Sequence, residues 1–212
     1  MVAKLDSSFS SAEAVAHVRR LFEESVRVKQ ALVEGNHLKV LVEMANRIAR
    51  SIAAGGKLML CGNGGSAADA QHLVAELLVR LRPQVDRDAI PAITLALDTS
   101  SMTALSNDFG FEILFERMVK ALGRRGDVLL GITTSGRSRN VIRALEASRA
   151  MGIETFGFLG GDGGPARQYC ELAFVVPSQE TGRIQESHIT AGHALMELVE
   201  DQLIRDGHIH ML

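Results

Sequence analysis

The chain is short of cysteine, of net charge and of long apolar runs, and each shortage excludes a class of protein. Its two cysteines, Cys61 and Cys170, have neither the CxxC spacing of a metal site nor the density of a disulfide scaffold. That usage fits a reducing compartment and two buried thiols. A formal net charge of -2 and a pI near 6.4 leave no broad basic field, so nucleic acid is not an expected partner. No apolar run approaches the roughly 20 residues a membrane span needs. The opening residues, MVAKLDSSFSSAEA, lack the apolar core of a signal peptide. The expectation is a cytoplasmic protein without membrane contact. Internal repeats, low-complexity tracts and a convincing inter-domain linker are also missing.

What is present is a globular balance over 212 residues, 46% hydrophobic and 23% charged, enough for one sizeable core in one domain, 1–212. Ser10 followed by Glu13 predicts a capping box, opening a helix whose apolar residues Val15, Val18, Phe22, Val26 and Val33 keep helical spacing up to Gly35. A second helix is expected over 38–54, ended by Gly55-Gly56. Short apolar runs then alternate with helix-length segments: 57–61, 89–97, 127–132, 153–159 and 172–176. Largely apolar strands separated by helices predict an α/β fold with a five-stranded parallel sheet, doubly wound, behind two N-terminal helices. A last helix is expected over 184–205.

In such sheets ligands bind outside the carboxyl ends of the strands, which directs attention to the loops there. After the first strand comes Gly62-Asn63-Gly64-Gly65-Ser66, leading into a helix. Its glycines let backbone N-H groups approach an anion, and the helix start adds donors and a positive dipole end. It matches neither GxGxxG nor the Walker pattern, so no nucleotide is implied. A tight glycine turn would read the same way. After the third strand, Thr133-Thr134-Ser135-Gly136-Arg137-Ser138 places four hydroxyls ahead of a helix over 140–150, suited to a phosphomonoester or, more simply, to helix capping. Gly160-Gly161-Asp162-Gly163-Gly164 reads as a flexible turn.

His72 and Glu76, four apart, share a helix face, which suits proton transfer, metal binding or an ordinary surface pair. Near the C-terminus, RIQESHITAGH brings Gln185, Glu186, His188 and His193, with His193 among small and apolar residues. Gln185 and His193 differ by roughly 80° around a helix and meet at one site only if Gln185 sits near its entrance. Moving a carbonyl between C1 and C2 of a sugar needs a base for a carbon-bound proton, an acid for the oxygens and stabilisation of an enediolate. Glu and His are suitable types, and a divalent metal could order them.

CGNGGSAADAQH, NDFGF, GDVLL, TTSGRS, GGDGG and RIQESH, in this order, resemble the phosphoheptose isomerases, a family within the broader sugar isomerase (SIS) domain. The resemblance covers essentially the whole chain after the first helix. It implies the SIS fold and conversion of sedoheptulose 7-phosphate into D-glycero-D-manno-heptose 7-phosphate, the first step towards the heptose of lipopolysaccharide or other surface glycans. It implies a homotetramer with active sites at subunit interfaces, with residues 1–55 as a helical extension used in oligomerisation. By position, Gly64, Gly65, Ser66, Thr133, Thr134, Ser135 and Ser138 would hold the phosphate, and Asn63, Arg80, Asp98, Thr99 and Gln185 would contact the sugar or order its pocket. Glu76 and His193 would transfer protons, His193 as base and Glu76 as acid. His72, Glu76, Gln185 and His193 would form the zinc site of some relatives. Leu81, where an aromatic is usual, and Thr133, where Ser is common, depart from the pattern without removing a catalytic group. The tail after Asp206 reads as a solvated or subunit-contacting end. The competing readings are a non-catalytic SIS protein that binds the replication initiator, and a phosphosugar-binding regulator. The retained Glu76 and His193 speak against the first, and turnover separates the second.

Overall fold

The structure, a computed structural model, describes residues 10–96 and 98–211. The expected capping box forms: the Glu13 amide donates to Ser10 Oγ at 3.3 Å and the Ser10 amide to Glu13 Oε2 at 2.9 Å, opening helix α1, Ser11–Glu34. Helix α2, His37–Ala53, buries Leu41, Met44, Ala45, Ile48, Ala49 and Ile52 and so belongs to the core. α1 joins it only near its end, through Leu32 with Val28 beside it, while Phe22 is 72% and Val26 66% exposed.

Five parallel strands follow in the order β2-β1-β3-β4-β5: β1 Leu58–Gly62, β2 Ala92–Thr94, β3 Val128–Thr133, β4 Glu154–Gly160 and β5 Leu172–Val176. Every residue of β1 and β3 is buried, as strands covered on both faces require. Leu58, Leu60, Leu130, Phe156, Phe158 and Phe174 face α2, α3 (Gly65–Leu78) and the last helix, α7 (Thr181–Arg205). Met59, Cys61 and Leu129 face the other layer, α4 (Thr99–Phe109), α5 (Leu114–Leu122) and α6 (Arg139–Ala150). The sheet is doubly wound, as the apolar runs predict. Cys61 is buried and Cys170 half-buried, and burial pushes the Cys170 thiol up to about 12. Among the described residues no helix is long and apolar enough to cross a membrane.

Three expectations change. The second strand is confined to 92–94, with Leu97 outside the described residues. Pro91 lacks an amide for the ladder, and Ile90 spends its own on the Leu77 carbonyl at 3.0 Å. α7 begins at Thr181, three residues before the expected start, because the Glu180 carbonyl already accepts the Ile184 amide. The tail is exposed at its described positions except Ile209, but it is tied back to the chain rather than free. Ile209 is buried, Met211 bridges antiparallel to Arg87, and His210 exchanges backbone bonds with Asp88, accepting at 3.1 Å and donating to its carboxylate at 3.0 Å.

α7 crosses the sheet face to lie on α3, where Gly192 lets the two helices close. A Cβ there would come within 2.7 Å of Leu73 Cδ1. Gly192→Val should destabilise the fold by about 1–3 kcal/mol through overpacking. Urea unfolding checks this, and an unchanged midpoint would show that the contact yields freely.

Candidate active site

Strand order reverses between β1 and β3, so the loops that leave these neighbours open a crevice at the carboxyl edge of the sheet. Both motif loops lie there. In the first, Gly64 has φ +55°, and a Cβ on Gly62 would come within 2.7 Å of the Ser66 carbonyl. Glycine is needed to fold Ser66, itself buried, into the first turn of α3. In the second, Thr133 Oγ1 lies 3.0 Å from Ser138 Oγ and 3.5 Å from Ser135 Oγ, which in turn accepts the Arg137 amide at 3.2 Å. Ser138 precedes α6 yet its side chain makes no cap bond, so simple capping does not account for the hydroxyl. Thr134 lines an adjoining cavity of about 260 Å³ with Ser135 and Arg137.

Two features hold the loops together. The side-chain amides of Asn63 and Asn140 donate to each other, both at 2.8 Å, closing a ring across the crevice. The Gly160–Gly164 turn is packed rather than a free connection. Gly136 (φ +63°) and Gly164 (φ +53°) meet backbone to backbone, and the Gly136 carbonyl accepts the Ala166 amide at 2.9 Å. The expectation of a flexible turn is corrected accordingly, since side chains on either strand of this contact would collide.

The titratable cluster assembles from distant parts of the chain. His72 and Glu76 sit one turn apart on α3, 3.3 Å between Nε2 and Oε1, and α7 brings His193 Nε2 to 2.8 Å from His72 Nε2. Among the described residues, these three form a group whose donor atoms all lie within 4.8 Å of one another. The Glu76 side chain is mostly covered, the His72 side chain about half exposed. Gln185 enters near the start of α7, as the geometry demands, with its amide against Gly65; a Cβ on Gly65 would overlap it. It makes no hydrogen bond to the cluster.

Asp69, one turn before His72, escaped the sequence reading. Burial raises its carboxyl pKa, opposed by His72 and His193, and its Oδ2 is buried without a partner. The two imidazoles of His72 and His193 and the Glu76 carboxylate make a donor set that fits a divalent cation such as zinc, with Asp69 outside it. Asn140 was missed as well, because nothing in spacing pairs it with Asn63.

Other candidates stand apart. Arg80 is exposed and pairs with Asp86 at 3.8 Å. Asp98 caps α4, accepting the Ser101 amide at 2.7 Å, a bond that holds its carboxyl below the usual range; Thr99 is the first residue of that helix. Neither Arg80, Asp98 nor Thr99 bonds to the cluster. Glu186 turns towards Arg183 and Lys29 of α1.

A profile of the SIS domain matches residues 21–160. The phosphoheptose isomerase of Aquifex aeolicus is 51% identical over 186 residues, 88% of this chain and 96% of the relative, and that of Chlorobaculum parvum is 50% identical over 180 residues, 84% and 86%. The chain belongs to the phosphoheptose isomerase family. A solved phosphoheptose isomerase from Neisseria gonorrhoeae superposes with TM-score 0.83 at 38% identity, over 89% of this chain and 99% of that one. One from Francisella tularensis gives 0.84 at 31%, over 89% and 98%. Membership favours a sugar-phosphate isomerase over the non-catalytic readings.

His188 is a core residue of this isomerase fold. Its Nε2 lies 3.0 Å from the Leu159 carbonyl oxygen, and burial lowers its pKa to about 4. In the unfolded chain it titrates near 6.5. Between these values the unfolded state binds more protons, so the His188 contribution makes stability fall as pH drops from about 6.5 towards 4. Urea midpoints at about pH 7 and about pH 5 should show this loss, and His188→Gln should reduce it. An equal pH dependence in the variant would assign the loss to other groups.

Proposed function

We infer that the protein isomerises sedoheptulose 7-phosphate to D-glycero-D-manno-heptose 7-phosphate, feeding heptose synthesis for lipopolysaccharide or other surface glycans in the cytoplasm. The observation that carries the reading is the convergence of Glu76, His72 and His193 beside two anion-binding loops, in a chain of this family.

The phosphate seats on the hydroxyls of Ser66, Thr133, Ser135 and Ser138, with the amides that open α3 and α6 and with Thr134 beside it. Asn63, Gly64, Gly65 and Gln185 lie between the loops and the cluster, while Arg80, Asp98 and Thr99, which stand apart from it in the free chain, would contact the sugar once it is bound. His193 Nε2 takes a proton from C1 of the ketose while protonated Glu76 gives one to O2, leaving the enediol. The His193 imidazolium then returns its proton to C2, and O1-H gives its proton to Glu76, regenerating both groups. In the free protein His193 Nε2 faces His72, so entry of substrate exchanges that contact for the reacting carbon. His72, Glu76, Gln185 and His193 would hold a zinc ion, which would need the Glu76 carboxylate ionised and the His193 lone pair, and would supply polarisation of the carbonyl oxygen in place of their direct proton transfer.

The exposed apolar seam of α1, Val15, Val18, Phe22 and Val26, is the surface on which copies of the chain assemble into a homotetramer with active sites at the interfaces. Lys29 and Arg183 join that helix to the start of α7, which bears Gln185.

Turnover of sedoheptulose 7-phosphate is expected; none at saturating substrate, with and without added zinc, would refute the reading. Glu76→Gln and His193→Asn should each slow exchange of the C1 proton with solvent by about 100-fold or more, with inorganic phosphate still inhibiting. Unchanged exchange in both would place the chemistry elsewhere. Phe22→Glu should shift the mass in light scattering below that of a tetramer, whereas an intact tetramer would remove α1 from the interface.

A further inference from the structure

Helix α3 ends without a glycine cap. Its final turn carries Glu76, and the carbonyls of Glu76, Leu77 and Val79 point into the protein, where an orphaned acceptor is costly. One side chain reaches all three, beside the Ile90 amide that also donates to the Leu77 carbonyl. Arg87 Nη2 donates to the Glu76 carbonyl at 2.9 Å, and Nη1 to those of Leu77 at 2.8 Å and Val79 at 3.4 Å. Its side chain is 0% exposed. A cation here also complements the negative end of the α3 dipole.

The charge is neutralised from the other helix of the acid/base pair. Arg87 Nε and Nη2 reach Glu200 Oε2 at 3.3 and 3.2 Å, and Glu200 is almost fully buried on α7. Glu200 follows His193 by seven residues, two turns along the same face. One planar guanidinium therefore grips the peptide of Glu76 on one side and the helix of His193 on the other. A buried ion pair is a poor device for stability alone, since apolar side chains of similar volume often do as well. Its five fixed donors are a good device for holding two helices at one spacing.

We propose that Arg87 is a positioning residue for proton transfer, setting the separation of Glu76 and His193 through the Glu76 carbonyl and Glu200. The proposal rests on the assignment of Glu76 and His193 as the proton-transfer pair. It extends to the tail, since Met211 bridges to Arg87 and His210 clamps Asp88, the next residue. The tail fastens the Arg87 segment from outside.

The test measures kcat, KM and competitive inhibition by inorganic phosphate for Arg87→Lys, for the double variant Arg87→Met with Glu200→Leu, and for the chain ended after Gly207. The double variant keeps the core filled and removes both charges of the pair, while Arg82, which also donates to Glu200 Oε1 at 2.7 Å, keeps its partners Glu197 and Asp201. It should fold, keep its phosphate inhibition constant within about 2-fold and lose about 10–100-fold in kcat, the penalty of misplaced reacting groups. Arg87→Lys should recover part of that loss, and the shortened chain should lose kcat without loss of phosphate inhibition. A double variant that is folded and within about 2-fold of the parent kcat would overturn the proposal. So would a kcat loss matched by an equal loss of folded protein and of phosphate-binding sites, which is what a purely structural role gives. Glu76→Gln measured in parallel separates the two levels: full activity there would refute the acid assignment itself, whereas an inactive Glu76→Gln beside a fully active double variant would refute only the role of Arg87.

Discussion

The close approach of α7 to α3 is the constraint on which the remaining architecture turns. The chain leaves β5 at one edge of the sheet, yet His193 must reach a helix that follows β1, with β3 and β4 lying between the two strands. A long helix crossing the face solves the distance, and Gly192, beside His193, solves the separation by letting Leu73 occupy the space a side chain would take. Burial of Leu195, Val199 and Leu203 along the same helix supplies the driving force for that crossing. The site is thus a by-product of core packing: His193 sits at the rim of a contact that the hydrophobic effect already enforces.

Binding and chemistry are carried by different kinds of element. The loops after β1 and β3 offer hydroxyls and amides at the switch point, held in register by parallel pairing and by the Asn63 and Asn140 amides. The groups proposed for proton transfer, Glu76 and His193, sit on helices, where rotamers are limited by packing and position is fixed by the core. Asp69 belongs to the helical half. Its buried, unpartnered oxygen next to two imidazoles is the kind of unsatisfied acceptor that a folded protein keeps for a reason beyond stability.

Much of this was legible in the sequence, and the gaps have physical causes. Glycine placement, apolar runs and the Ser10/Glu13 pattern announce the elements because each reflects a local requirement of backbone geometry. The two loops follow from the strands they leave, whereas the pairing of Glu76 with His193 came through resemblance, as no local rule joins residues so far apart. Asn140 and Arg87 stayed hidden because their partners are chosen by tertiary packing: an amide across a crevice, and backbone carbonyls that any sequence would supply. The second strand was overextended because apolar content persists through 89–91, while Pro91 withholds the amide a ladder needs. In the tail, DGHIHML, nothing local distinguishes Ile209 from the exposed Met211, so the burial of one and not the other is set by tertiary packing.

The interlock of Gly136 with Gly163 and Gly164 bears on how this site can diverge. With backbone against backbone, the contour of the hydroxyl loop is set by a contact that admits no side chain, so changes in ligand preference are confined to what the loop displays. Exchange of Thr133 with serine would be a change of that permitted kind, altering one methyl group and keeping the hydroxyl. New substrates are therefore reached by redecorating a fixed mould, and a lineage that lost either glycine would have to rebuild the mould itself.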